Sequence, residues 1–252
     1  MASASAELLG RYEGAMSGQA CLVTGAGSGI GRSVALAFAR SGADVCVLGR
    51  RPGTLEDTAA MIEQAGRRAL AIATDVEDPE RVAAATTLAA ESLGPIRVAV
   101  ANAGVNAWAD IQDLQPGVFR QALATNVEGV ANLARAVLPQ MVQASRGKLV
   151  IIASDNGRRA EAGGGGYVAS KFAAVGLGLS LSRELIGRGV AVHIIEPGCV
   201  DTPWYADDVD APRTRMLQPD DVALACLFVA TLPPHILVEE LMLLPRDLEP
   251  AG

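Results

Sequence analysis

The chain has 252 residues, half of them hydrophobic and only 4% aromatic, with a net charge of −7. Such an aliphatic core suits buried parallel strands under Ala-rich helices, and the length fits a single α/β domain. The acidic balance argues against nucleic-acid binding, which needs a basic surface to neutralise phosphates. No apolar run approaches the ~18 residues that span a membrane.

Residues 1–16, MASASAELLGRYEGAM, lack the apolar run of a signal peptide. They are expected to form a flexible extension, or a short arm lying on a neighbouring subunit, ahead of one domain over 17–252. A cytoplasmic protein is expected. Short apolar runs then recur: ACLVTG (20–25), DVCVLG (44–49), RALAIAT (68–74), IRVAVAN (96–102), GKLVIIAS (147–154) and VAVHIIEPG (190–198). Between them lie Ala/Leu segments of helical spacing at 30–41, 54–65, 79–92, 117–143, 167–187 and 219–230. A last run, ILVEELMLL (236–244), reads as a final strand. This alternation implies right-handed βαβ units, hence a single-domain, doubly wound parallel sheet with helices on both faces.

Four glycines, Gly163 to Gly166, are the one low-complexity candidate for a linker. As a domain boundary they would leave residues 167–252 with too few strands to fold alone. They are therefore expected to form a mobile wall of a binding site that orders on ligand binding. Cys21, Cys46, Cys199 and Cys226 are widely spaced without a CxxC pair, which points to neither a disulfide framework nor a metal site. Cys199, after a Pro-Gly, is expected to be the exposed one.

TGAGSGIG (24–31) ends the first strand and opens the first long helix. Glycine there lets the chain turn sharply and bring backbone N–H groups against a pyrophosphate, with the positive end of the helix dipole behind them. Arg32 and Ser33 follow Gly31 where a triphosphate-binding loop needs Lys-Ser/Thr, so that class is set aside. At the end of the second strand, where an acidic residue would hold a ribose and select NAD, stand Gly49, Arg50 and Arg51. Guanidinium groups bind a 2′-phosphate that a carboxylate repels, which favours NADP(H) and leaves NAD(H) as the alternative. The competing reading makes both arginines solvated loop residues. Asp75 is a candidate for the adenine amino group, or for the cap of the next helix.

Tyr167 and Lys171 stand four apart, on one face of a helix. The ordinary phenol pKa of about 10 is too high for a base near neutrality, and a neighbouring ammonium lowers it. Together with NAG (102–104), Asn126, Ser154 and PGCVDT (197–202), these motifs make the chain resemble the short-chain dehydrogenases/reductases over roughly residues 17 to 235. The resemblance implies a Rossmann fold, an oxidoreductase, and interconversion of a secondary alcohol and a carbonyl on a small molecule by hydride transfer. It implies that Tyr167 is the acid/base, that Lys171 assists it and holds the nicotinamide ribose, and that Ser154 bonds the substrate oxygen. Asn126, inside the helix 117–143, would hold a water linking Lys171 to solvent. The same resemblance places the cofactor against Gly25, Ser28, Gly29, Ile30, Gly31, Asp75, Val76, Asn102, Ala103, Gly104, Pro197, Gly198, Val200 and Thr202. It also implies a homo-dimer or homo-tetramer.

Departures are few. Ala101 stands where a second Asn is common, and the ending LPPHILVEELMLLPRD differs from the commonest one, leaning towards a branch that oxidises small 3-hydroxy acids. Residues 203–217 have the breakers of a substrate lid. Trp108, Trp204 and Tyr205 are candidates for an apolar pocket, and Arg158 with Arg159 for an anionic substrate group. Each has a bland alternative in lid packing or solvation. A rival class is a dinucleotide-binding redox sensor without turnover, which retention of Ser154, Tyr167 and Lys171 disfavours. An epimerase of nucleotide sugars would need a larger C-terminal part. His193 and His235 are not expected to be catalytic, and no metal is expected.

Overall fold

The computed structural model describes residues 4–205 and 212–247. Seven parallel strands form one sheet in the order β3-β2-β1-β4-β5-β6-β7. They are β1 (Ala20–Thr24), β2 (Asp44–Gly49), β3 (Ala69–Ala73), β4 (Ile96–Ala101), β5 (Gly147–Ile152), β6 (Val190–Pro197) and β7 (Glu240–Leu243). The order reverses between β1 and β4, where open α/β sheets leave a crevice at the carboxyl ends of the strands. All six expected strands form, and the last run is strand only at its end.

Among the described residues, eight α-helices accompany the strands: α1 (Ala4–Leu9), α2 (Gly29–Arg40), α3 (Pro52–Gln64), α4 (Pro79–Leu93), α5 (Pro116–Leu123), α6 (Gly129–Gln143), α7 (Gly165–Glu184) and α8 (Pro219–Thr231). Proline opens four of them at the first turn, where its missing N–H costs nothing. Because β1 is buried on both faces, its side chains alternate between two cores. Cys21 and Val23 pack with α2, α3 and α8, while Ala20 and Leu22 pack with α4 and α6.

One expectation is corrected and one refined. Residues 9–16 are not a loose extension, because Leu9 is buried and Met16 is fully enclosed in the core. Burying such a side chain is worth about 1.5–3 kcal/mol, enough to tie down a short segment that shows no periodicity. The helix expected at 117–143 forms as an unbroken helical run over 116–143, but not as a regular α-helix throughout. A π-helical turn at Ala124–Glu128 joins α5 to α6, and it carries Asn126.

Candidate active site

A cleft of about 900 Å³ opens over the carboxyl ends of the strands. Its floor at the β1 end is the glycine turn. Gly25 has φ +65°, and a Cβ there would meet Asn102 Nδ2 at 2.8 Å and Ala103 Cα at 2.9 Å. A Cβ on Gly31 would lie 2.4 Å from the Gly25 carbonyl oxygen. Side chains are thus excluded, and the N-terminus of α2 faces the cleft without a side-chain cap on its backbone N–H groups. Arg32 braces the turn from behind, donating from Nη2 to the Gly27 carbonyl at 2.6 Å and from Nε to Thr58 Oγ1 at 3.1 Å. Asn102 ties β4 to β1 by donating from Nδ2 to the Thr24 carbonyl at 2.9 Å.

Arg50 and Arg51 line the cleft beyond β2, joined there by Thr54. Both arginines are exposed, and neither forms an ion pair among the described residues. Asp75 lines the cleft as well. It is not the cap of α4, because Asp78 fills that role, accepting from Glu80 N at 3.1 Å and Arg81 N at 3.0 Å. Thr202 reaches over Gly29, whose Cβ would touch its Cγ2 at 3.2 Å.

Beyond β4 and β5 the cleft is lined by side chains, with Ser154, Tyr167 and Lys171 together in its wall. Lys171 is buried, its Nζ donating to the Ile152 carbonyl at 3.1 Å and lying 5.6 Å from the Tyr167 ring centroid. Burial holds the Lys171 ammonium down to about 8 and the Tyr167 phenol up to about 12, with Ser154 partly offsetting the latter by hydrogen bonding. The expected net lowering of the Tyr167 phenol is absent in the chain alone, where burial outweighs the contributions that lower it. Desolvation dominates both groups, and the ammonium is turned towards a carbonyl.

Asn126 has every polar atom of its side chain engaged. Nδ2 donates to the Val105 carbonyl at 3.0 Å and to Ser170 Oγ at 2.9 Å, while Oδ1 accepts from Val105 N at 2.8 Å. Its amide therefore ties the loop after β4 to α7.

Residues 19–212 match the family model described as short chain dehydrogenase. The chain belongs to the short-chain dehydrogenase/reductase family. It is 33% identical over 244 residues to glycine betaine reductase of Emericella nidulans, covering 93% of this chain but 19% of that protein. The chain thus spans about a fifth of that relative. An uncharacterized oxidoreductase of Staphylococcus aureus is 33% identical over 224 residues, 89% of this chain and 96% of that one. An alcohol dehydrogenase from Thermococcus sibiricus, solved with 5-hydroxy-NADP, superposes with a TM-score of 0.85 at 30% identity, covering 92% and 98% of the two chains. A metagenomic short-chain oxidoreductase solved with NADP gives 0.81 at 31% identity, covering 92% and 99%.

Against this family frame, most of the residues singled out from sequence meet at the cleft. Ser28, Gly29, Ile30, Val76, Ala103, Gly104, Pro197, Gly198 and Val200 line it with those already placed. Trp108, Trp204 and Tyr205 line it too, the indoles of Trp108 and Trp204 lying 6.1 and 5.7 Å from the Tyr167 ring. Gly31 stands behind the cleft surface, as the close contact with Gly25 requires.

Arg158 does not line it. Its guanidinium is drawn away by Glu196, at 3.1 Å from Nε, and by Glu240. The lid expected at 203–217 begins with a short helical turn at Pro203–Tyr205, while 206–211 lie outside the described residues. The glycine run divides. Gly165 and Gly166 begin α7, and Gly163 accepts from Ala109 N at 2.8 Å. Small residues are needed there because the Trp108 indole lies across them, a Cβ on Gly164 falling 3.0 Å from its Cη2.

Sequence reasoning missed Thr54, Asp155, Glu161 and Cys199, all in the cleft wall. Asp155 adjoins Ser154 in sequence, which was the available signal. Its Oδ1 accepts from Ser154 Oγ at 3.1 Å, and burial holds its carboxyl above the ordinary value.

Proposed function

We propose that this chain is an NADP(H)-dependent oxidoreductase that interconverts a secondary alcohol and a carbonyl on a small molecule. The observation that carries the proposal is the convergence of Ser154, Tyr167 and Lys171 in a cleft whose other half is a glycine turn flanked by two exposed arginines. The turn fits a pyrophosphate, because Gly25 and Gly31 leave space only for backbone N–H donors and a Cβ at either would collide. Arg50 and Arg51 fit a 2′-phosphate by paired, charge-assisted hydrogen bonds. The relatives solved with NADP and 5-hydroxy-NADP support the same cofactor. When bound, that cofactor supplies or accepts the hydride and, once oxidised, adds a positive charge to the cleft.

Tyr167 holds its proton at neutral pH, since burial keeps the phenol at about 12. In the reducing direction it is therefore loaded to donate from Oη to a carbonyl oxygen as that oxygen gains negative charge. The Ser154 hydroxyl, now donating to Asp155, turns to the same oxygen and stabilises its charge. Lys171, charged below about 8, stabilises the phenolate left behind. Asn126 acts as a positioning residue through the loop at Val105 and through Ser170. In the oxidising direction the proton moves the opposite way, from the alcohol to Tyr167. The assembly expected with this function is a homo-dimer or homo-tetramer, as the family resemblance implies.

The test is NADPH oxidation with a panel of ketones and aldehydes, by wild type and Tyr167→Phe. The proposal expects turnover by the wild type and a loss of about 10²–10⁴ in the variant, with NADPH binding retained. Binding of cofactor by both proteins with no turnover of any carbonyl would favour a redox sensor instead.

A further inference from the structure

The chain has two tryptophans, and both stand beside Tyr167. Trp108 comes from the loop after β4 and Trp204 from the turn after β6. Their rings are tilted 44° and 63° to the phenol ring, so the three form an open aromatic wall rather than a parallel stack. Trp108 is 42% exposed and Trp204 43%, and both line the cleft. Tyr205 continues the wall.

Two carboxylates share this half of the cleft, Asp155 and Glu161. Neither forms an ion pair among the described residues. Glu161 accepts from Asn156 Nδ2 at 3.1 Å, and among the described residues the Asp155 carboxylate accepts from Ser154 Oγ and Asn156 N. The cations nearby are otherwise committed or set back. Lys171 is turned to the Ile152 carbonyl, and Arg158 is held by Glu196 and Glu240. Arg159 acts on Asp155 at a distance but does not line the cleft.

An anionic substrate would meet two carboxylates here. A purely apolar one would cover Asp155, already penalised by burial, without compensating its charge. A compact cation answers both features. It gains from the faces of Trp and Tyr rings within about 6 Å, and from unpaired carboxylates in a partly desolvated wall. A fully alkylated ammonium suits the wall best, because it brings no N–H donors that need partners.

We propose that the carbonyl substrate carries a quaternary ammonium group one or two carbons from the reacting carbon, seated between Trp108 and Trp204 with Asp155 and Glu161 as counter-charges. This rests on the oxidoreductase function proposed above. It replaces the hydroxy-acid class suggested by the C-terminal sequence.

The probes are trimethylammonioacetone and trimethylammonioacetaldehyde. Each is paired with its neutral isostere, in which a tert-butyl group replaces the trimethylammonium. Both tryptophans of the chain lie at the site, so intrinsic fluorescence reports binding directly in the full-length protein. Choline is expected to perturb that fluorescence with an affinity about tenfold above that of its tert-butyl isostere. With NADPH, kcat/KM for each charged carbonyl is expected to exceed that of its isostere by about the same factor. Trp204→Leu and Asp155→Asn are each expected to bring that ratio close to one. Equal or better use of the isosteres by the wild type overturns the substrate class and leaves the oxidoreductase function standing. Tight choline binding with no turnover of any carbonyl supports the cation site and counts against the oxidoreductase function. Preference for glyoxylate over the charged and neutral probes overturns the inference outright.

Discussion

Over β1 to β3 the cleft wall is mostly backbone, whereas over β4 to β6 it is mostly side chains. In the first half, Gly25 and Gly31 are confined by neighbours that a single Cβ would strike, and the arginines enter only at the rim. In the second, Trp108, Asp155, Glu161, Tyr167 and Trp204 converge from segments nearly a hundred residues apart. A backbone site accepts one class of ligand and changes little with sequence. A side-chain site can be re-specified by two or three substitutions without disturbing the fold. The difference predicts that mutations in the first half act on cofactor affinity, while those in the second act on chemistry and substrate choice.

The largest effect expected belongs to the second half. Lys171→Met should lower the rate of carbonyl reduction by about 10²–10⁴, since it removes the charge that stabilises the Tyr167 phenolate. The measurement is single-turnover reduction at saturating NADPH, and a change confined to NADPH affinity would place Lys171 with the first half instead. Next comes the rim of the first half. Arg50→Asp with Arg51→Asp should weaken NADPH by about ten- to a hundredfold, from the loss of charge-assisted hydrogen bonds and the new repulsion. NADH should change little, and equal losses in a fluorescence titration with the two cofactors would remove the arginines from the site.

The pH dependence is smaller. The kcat/KM for NADPH reports ionisations of the cofactor-free enzyme. It should fall as pH rises through about 8, where Lys171 loses its proton, while the Tyr167 phenol stays protonated to about 12. Lys171→Arg should remove that limb from the accessible range, whatever its residual rate. Smallest is Gly164→Ala, whose methyl would press on the Trp108 indole from 3.0 Å. It should raise the substrate KM a few-fold with little change in kcat, and a change in NADPH affinity instead would break the division between the halves.

The same division decides what could be read from the sequence. Strand–helix alternation and the glycine spacing are local patterns, so the parallel sheet and the floor of the first half were legible, as was the helical pairing of Tyr167 with Lys171. Asp155 was passed over because its position in the wall depends on the turn after β5, and adjacency to Ser154 did not reveal it. Arg158 was misplaced for the opposite reason. Its partners, Glu196 on β6 and Glu240 on β7, are neighbours only in the folded sheet. The π-helical turn at Asn126 is likewise silent in the apolar periodicity on either side of it. Met16 is buried through tertiary packing that no local signal in its segment records.

The claim that joins the two halves is that the reacting carbon of the substrate lies against the cofactor while Tyr167 supplies the proton. The most direct measurement uses NADPH carrying deuterium at both C4 positions, with mass spectrometry of the alcohol formed from a carbonyl that the protein turns over. The account predicts one deuterium per turnover on the former carbonyl carbon, and a hydroxyl proton drawn from solvent through Tyr167. Product alcohol whose new carbon-bound hydrogen comes from water would contradict it.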